Sequence, residues 1–526
     1  MSESVCDAVV IGAGPNGLVA ANLLADAGWD VVVLEANDQP GGAVRSAEIT
    51  APGFSNDLFS AFYPFAAASR VLQDLRLERF GLRWVHAPAV IAHPMRDAPA
   101  AVLSRDLDAT AASLDAFSAG DGDAWRALYE IFDRVGTELI ATLLGPFPPV
   151  RAGIPLALKL GPRGALDFGR LALVPVRRLV EEAFRGVGGP LLLTGAALHA
   201  DVSPEGAGSG LLGWLMVSLG QRFGFPVPEG GAQRLTDALV ARLEAGGGRV
   251  VCGAPVNKVT IEGRRATGVV TSGGTRIAVR RAVLADTDVV ALYRHLVGDG
   301  HVPARLLRDL DRFHRGFGTV KLDWALSGPI PWRDPTIASG GTVHIADSID
   351  ELTMTSAQLA TAHVPRNPFV LLGQMTTADP TRSPAGTESA WAYAHVPAAV
   401  RGDAGEDGIE GRWDEREACA FARRMEQRIE VHAPGFADRV IARHIFTPTS
   451  FEEADANLVR GDIGGGTAQL HQQLVLRPSP GLARPETPIR GLYLASASAH
   501  PGGGVHGACG ANAARAALAH HRLRLR

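Results

Sequence analysis

The run Asp7-Ala-Val-Val-Ile11-Gly12-Ala-Gly14-Pro15-Asn16-Gly17, with Val31-Val-Val-Leu34-Glu35 behind it, decides the fold of this chain. Residues 8–11 read as a short buried parallel strand. Gly12, Gly14 and Gly17 then supply a tight turn, a backbone that a pyrophosphate can approach, and close packing of the following helix. From Asn16 the apolar positions Leu18, Ala21, Leu24 and Ala25 recur at helical spacing until Gly28, so the N-terminal amides of that helix point at the phosphates. A second strand, 30–34, delivers Glu35. A carboxylate there accepts both ribose hydroxyls of an ADP moiety and repels a 2′-phosphate, which favours FAD or NAD over NADP. Pro15 at the helix start and Ala36 beside the acid complete this predicted contact surface.

At 526 residues the chain exceeds one ordinary core, so two domains are expected. Its charge of −4, from 51 basic and 55 acidic residues, lacks the basic excess of a nucleic-acid binder. Cys6, Cys252, Cys419 and Cys509 are far apart with no CxxC, which argues against a disulfide framework and against a zinc site, and points to reduced thiols and no metal. Without a basic segment before the first apolar run, a cytoplasmic protein is expected. Residues 8–25 are uncharged, but Gly12, Gly14, Pro15 and Gly17 break them; residues 206–221, apolar on every side, read as a buried helix.

The predicted fold class is α/β: a Rossmann-like nucleotide domain with an inserted α+β substrate domain. Residues 1–71, 226–300 and 486–526 are assigned to the first; 72–225, as a helical cap, and 301–485 to the second. Gly41, Gly42 and Arg45 suit a loop crossing another polar part of the cofactor. Residues 72–223 read as largely helical. Strands are expected at 249–252, 256–261, 266–271, 276–279 and, separately, 282–285. Residues 402–410, small and acidic, read as an exposed loop. The tail Ser496-Ala-Ser498-Ala-His500-Pro-Gly-Gly503-Gly504-Val505-His506-Gly507 follows a strand at 492–495 and precedes a helix from 511. No strand and ribose-binding acid follow it, so it reads as a glycine turn passing close to a flat ring, with helix amides aimed at negative charge on that ring.

These segments resemble the phytoene desaturase and carotenoid oxidoreductase family of the amine-oxidase-like FAD superfamily, most of all its branch of pyridine nucleotide-disulphide oxidoreductase domain-containing protein 2 type. The resemblance runs through 7–46, the Glu229-Gly-Gly231 turn, 256–286 and 476–510. It implies FAD held by Gly12, Gly14, Gly17 and Glu35, with Gly41, Gly42 and Arg45 on the flavin side. It also implies that Val256 offers its backbone to the adenine, and that Ser498, His500, Gly503, Gly504, Val505 and His506 lie near the ring or ribityl chain. Two departures stand out: residues 496–499 lack the acid many superfamily members carry, and Gly464–Gly466 replace bulkier residues.

The implied reaction is hydride removal from an apolar, isoprenoid- or lipid-like substrate to flavin N5, by desaturation or a related isomerisation, with the electron acceptor open. His500 and His506, as the titratable groups of the tail, are the candidate catalytic residues. A flavin amine oxidase, or a non-catalytic escort on the same fold, are the alternatives. In 151–178, Arg151, Lys159, Arg163, Arg170, Arg177 and Arg178 alternate with apolar residues, which suits either peripheral contact with a membrane or a packed helical cap.

Overall fold

Two sheets organise residues 4–523, which the computed structural model describes. In the first, the strand Ser4–Ile11 lies between Val31–Leu34 and Arg276–Ala285, parallel to both. Arg249–Val251 extends the sheet beyond Val31–Leu34, and Leu492–Leu494 pairs with 283–285 on the other side. Residues 6–11 and 31–34 are all buried and, Asp7 apart, apolar, as expected of a parallel sheet covered on both faces. The antiparallel strands Val256–Glu262 and Arg265–Thr271 join at the first half of Arg276–Ala285.

That long strand corrects the expectation of separate strands at 276–279 and 282–285. One strand runs parallel to Ser4–Ile11 along one edge, with a register shift between Cys6 and Ala8, while its other edge pairs antiparallel with Arg265–Thr271 in the first half and parallel with Leu492–Leu494 in the second. Arg280 and Arg281, which break the apolar run, leave the sheet face to pair with Asp7.

The second sheet has the order Val440–Phe446, Gly318–Leu326, Glu388–Val396, Val370–Gln374, Gly340–Ile345, Ala89–His93, Ala101–Leu103. Its last two strands correct the helical reading of 72–223. Pro88, Pro94 and Pro99 cut this region into apolar runs too short for helices but long enough for strands. One face packs Val320, Leu322 and Trp324 against Phe421, Met425 and Ile429 of the helix Glu415–His432. That helix begins where Asp414 accepts the Glu417 amide, a cap worth about 1 kcal/mol. The other face meets the helices Gly188–Ala197 and Ser209–Phe223, the latter built around the fully buried Trp214. The segment 402–410 is exposed at Glu406, Asp407, Gly408 and Glu410, as expected, but it is also anchored: Asp403 and Asp407 pair with the buried Arg424, and Ile409 is buried. Two of the four acids there, Asp403 and Asp407, neutralise a guanidinium, while Glu406 and Glu410 face solvent.

Candidate functional site

The first helix, Pro15–Asp26, starts at Gly14 without a side-chain cap, leaving its first turn open. Gly12 has φ +94°, and its amide bonds to the Leu34 carbonyl. Glu35 is buried and uses both carboxylate oxygens, accepting the Ala13 amide at 2.8 Å and the Asn37 amide at 2.9 Å. These bonds fix its plane, and the remaining lone pairs suit two ribose hydroxyls. Ala36 is exposed beside it. The Glu35 carbonyl accepts from Ala254, which brings the start of Val256–Glu262 to the same edge.

Gly41 and Gly42, both at positive φ, turn back onto the glycine loop. The Gly41 amide bonds to the Ala13 carbonyl, and a β-carbon on Gly42 would lie 3.1 Å from the α-carbon of Gly14. Two side-chain-free turns thus form one crevice. Arg45 is tied into the protein itself: Nε donates to the Gly42 carbonyl, one terminal nitrogen donates to the Ala454 carbonyl, and the guanidinium lies over Phe59.

The tail lies against the first helix. Gly510 abuts the Asn16 carbonyl so closely that no β-carbon fits, and Gly507 packs on Val19. The distant ends of the sequence therefore meet at the dinucleotide loop. Gly503 and Gly504 are exposed, and Gly503 packs backbone to backbone on Gly464. Val505 is half-buried. The Ser498 hydroxyl receives the Val289 amide. Arg477, fully buried, donates to the carbonyls of Gly464, Gly465, Thr467 and Ala497, and so bolts this turn to its neighbour.

The two histidines differ. His506 Nδ1 accepts the Ala508 amide at 3.0 Å and so caps the helix Ala508–Leu523, while burial drives its pKa down to about 4. It is a neutral structural cap, and it takes one of the helix amides expected to face the ring. His500 Nε2 donates to the Gly145 carbonyl at 3.1 Å, its ring meets Phe147 edge to face, and Nδ1 is buried without a partner. Burial lowers its pKa, so Nδ1 is a free base at neutral pH.

Asp286 is a further residue on the glycine loop, absent from those expected on sequence. The Gly17 amide donates to its Oδ2 at 2.7 Å, and a β-carbon on Gly14 would lie 2.8 Å from the same oxygen. Burial, with Asp455 and Glu35 adding like charge, pushes this carboxyl up to about 7 even though the Gly17 amide favours its ionised form. The available signal was an acid at the carboxyl end of a parallel strand adjoining the glycine loop.

The residues fit a flavin dinucleotide on three structural counts: the oriented Glu35 carboxylate, the Gly14–Gly42 crevice that any β-carbon would fill, and Asn16 Oδ1, buried with no partner. The chain matches the family described as flavin containing amine oxidoreductase over residues 16–321. It is 27% identical to pyridine nucleotide-disulfide oxidoreductase domain-containing protein 2 of Rattus norvegicus, across 97% of this chain and 92% of that protein. It is 26% identical to the lycopene-forming phytoene desaturase of Pseudescherichia vulneris, across 97% and 98%. The fold is shared with cyclohexylamine oxidase from Brevibacterium oxydans, at TM-score 0.58 and 16% identity across 99% of this chain and 100% of that one. The chain belongs to the flavin-containing amine oxidoreductase family and is an FAD-dependent oxidoreductase.

Proposed function

We propose that the protein dehydrogenates, or isomerises by a related route, an apolar isoprenoid- or lipid-like molecule taken up from a membrane surface. The observation carrying this reading is the helix Val150–Leu173. It begins directly after the Gly145–Phe147 loop that touches His500, and it leaves Ile154, Leu158, Leu166 and Leu173 exposed. A row of bare leucines beside the redox motif suits delivery of a hydrophobic molecule to it. The phytoene desaturase among its relatives carries a hydrocarbon in its name, which agrees with the reading.

FAD, when bound, supplies the hydride acceptor. The chain's own residues do the rest. Gly503 and Gly504 let the backbone approach the ring, Arg477 holds their turn rigid, and His500 Nδ1 takes the proton that leaves with the hydride. The test is anaerobic bleaching of the flavin spectrum with polyenes, terpenes, lipids and amines in parallel. Bleaching by a hydrocarbon, slowed at least tenfold in His500→Ala at unchanged flavin content, supports the reading. Bleaching by amines alone overturns it in favour of an amine oxidase. Protein purified without flavin that binds a prenylated partner overturns it in favour of an escort.

A further inference from the structure

Where it faces the helices Gly188–Ala197 and Ser209–Phe223, the second sheet carries an aromatic strip that the redox site does not account for. Tyr393 stacks on Trp391 with ring centroids 5.9 Å apart, and His395 meets Tyr393 at 5.5 Å and Phe317 at 6.0 Å. Both ring nitrogens of His395 are shut off from solvent and have no hydrogen-bond partner; the Gly318 carbonyl lies near the ring but outside bonding geometry. Thr319, opposite His395 in register, has an equally orphaned hydroxyl. The Tyr393 hydroxyl makes no hydrogen bond among the described residues, and its burial raises its pKa.

His395 borders a cavity of about 20 Å³ walled by Leu198, Val202, Phe317 and Phe369, with Thr355 and Ser356, whose hydroxyls are spent on backbone carbonyls, room for a single oxygen-sized group. This cavity is one loop away from the flavin-side turn. Val202 follows Asp201, which binds Thr467 and Ala468, and the same loop packs Gly465 against Ala497. Burial keeps the imidazole neutral although Asp201 faces it, so it can donate from one nitrogen and accept at the other. A chamber meant only for hydrocarbon gains nothing from the unpaired His395 imidazole and Thr319 hydroxyl, because both have been stripped of water without recompense.

We propose that Tyr393 and His395 form the polar end of the substrate chamber and bind the lone hydroxyl or carbonyl oxygen of an otherwise apolar substrate. This rests on the apolar-substrate reading above and narrows it to oxygenated isoprenoids or lipids. The test titrates farnesene and farnesol into the flavin-loaded protein and follows the flavin absorbance. Farnesol should bind about tenfold tighter than farnesene. Tyr393→Phe, which deletes one oxygen, and His395→Phe should each cut that preference to about twofold while leaving farnesene affinity, flavin content and melting temperature unchanged. Equal affinities in the parent protein, or a preference that survives both substitutions, overturn the proposal. If farnesene bleaches or perturbs the flavin while farnesol gains nothing, this proposal falls alone; if neither ligand perturbs it, the apolar reading falls and takes this one with it.

Discussion

Asp286 shows how one side chain sets conditions for the whole nucleotide cleft. Its carboxyl sits on the Gly14–Gly17 turn, and its pKa rises from 3.8 to about 7 on burial. The folded state therefore binds this proton more tightly than the unfolded chain. The stabilisation is complete below about pH 4 and is lost as pH climbs through 7, by a few kcal/mol over the interval. Thermal melts of the flavin-free protein from pH 5 to 8 should show this decline, and Asp286→Asn should flatten it. Flavin affinity should fall over the same interval, since an ionised carboxylate repels a diphosphate. Glu35 was legible because it ends a strand that the glycine motif announces. Asp286 was not, because the strand expected at 282–285 gives no sign in sequence of lying beside the glycine loop until its pairing with residues 8–11 is seen. Arg477 was illegible for a different reason: it bonds to carbonyls, and sequence records no carbonyl's position.

Among elements, Val150–Leu173 carries the clearest prediction. Gly161, at φ +65°, kinks it, and Leu158 and Leu166 are 78% and 77% exposed. Its basic charge is weaker than the composition suggests, because Lys159 pairs with Glu138, Arg170 with Glu182, and Arg177 with Glu205. Attachment to a bilayer would rest on the leucines, each worth about 1.5–3 kcal/mol when buried. Vesicle flotation should retain the parent protein on neutral as well as anionic lipid, and Leu158→Asp with Leu166→Asp should cut retention at least tenfold without altering the melt. Equal retention of the double variant would remove the membrane role. Elements with long periodic patterns, such as Asp121–Leu144, were readable in advance. The short strands Ala89–His93 and Ala101–Leu103 were not, because an apolar run of three to five residues has no period to read.

At the scale of the molecule, the residues that fit a nucleotide, Gly12–Gly17, Glu35 and Gly41–Gly42, and the glycine tail gather about the contact of the first and last helices. The glycine and acid spacings marked two segments for a cofactor in sequence; that the two segments meet is seen in the Gly510–Asn16 contact. A ligand that spans both segments stabilises the fold by mass action, about 2.7 kcal/mol at a hundredfold excess over Kd. Differential scanning should place the flavin-loaded protein several degrees above the stripped one, and Glu35→Ala should lose both the flavin and the increment. The contact of those helices also has a temporal side. Leu492–Leu494 and Ala508–Leu523 are synthesised long after Ser4–Ile11, yet they join the sheet and helix layer that it began. A nascent polypeptide must therefore extend through Ala508–Leu523 before it can capture its prosthetic group, and translation products cut short ahead of Leu492 should emerge colourless.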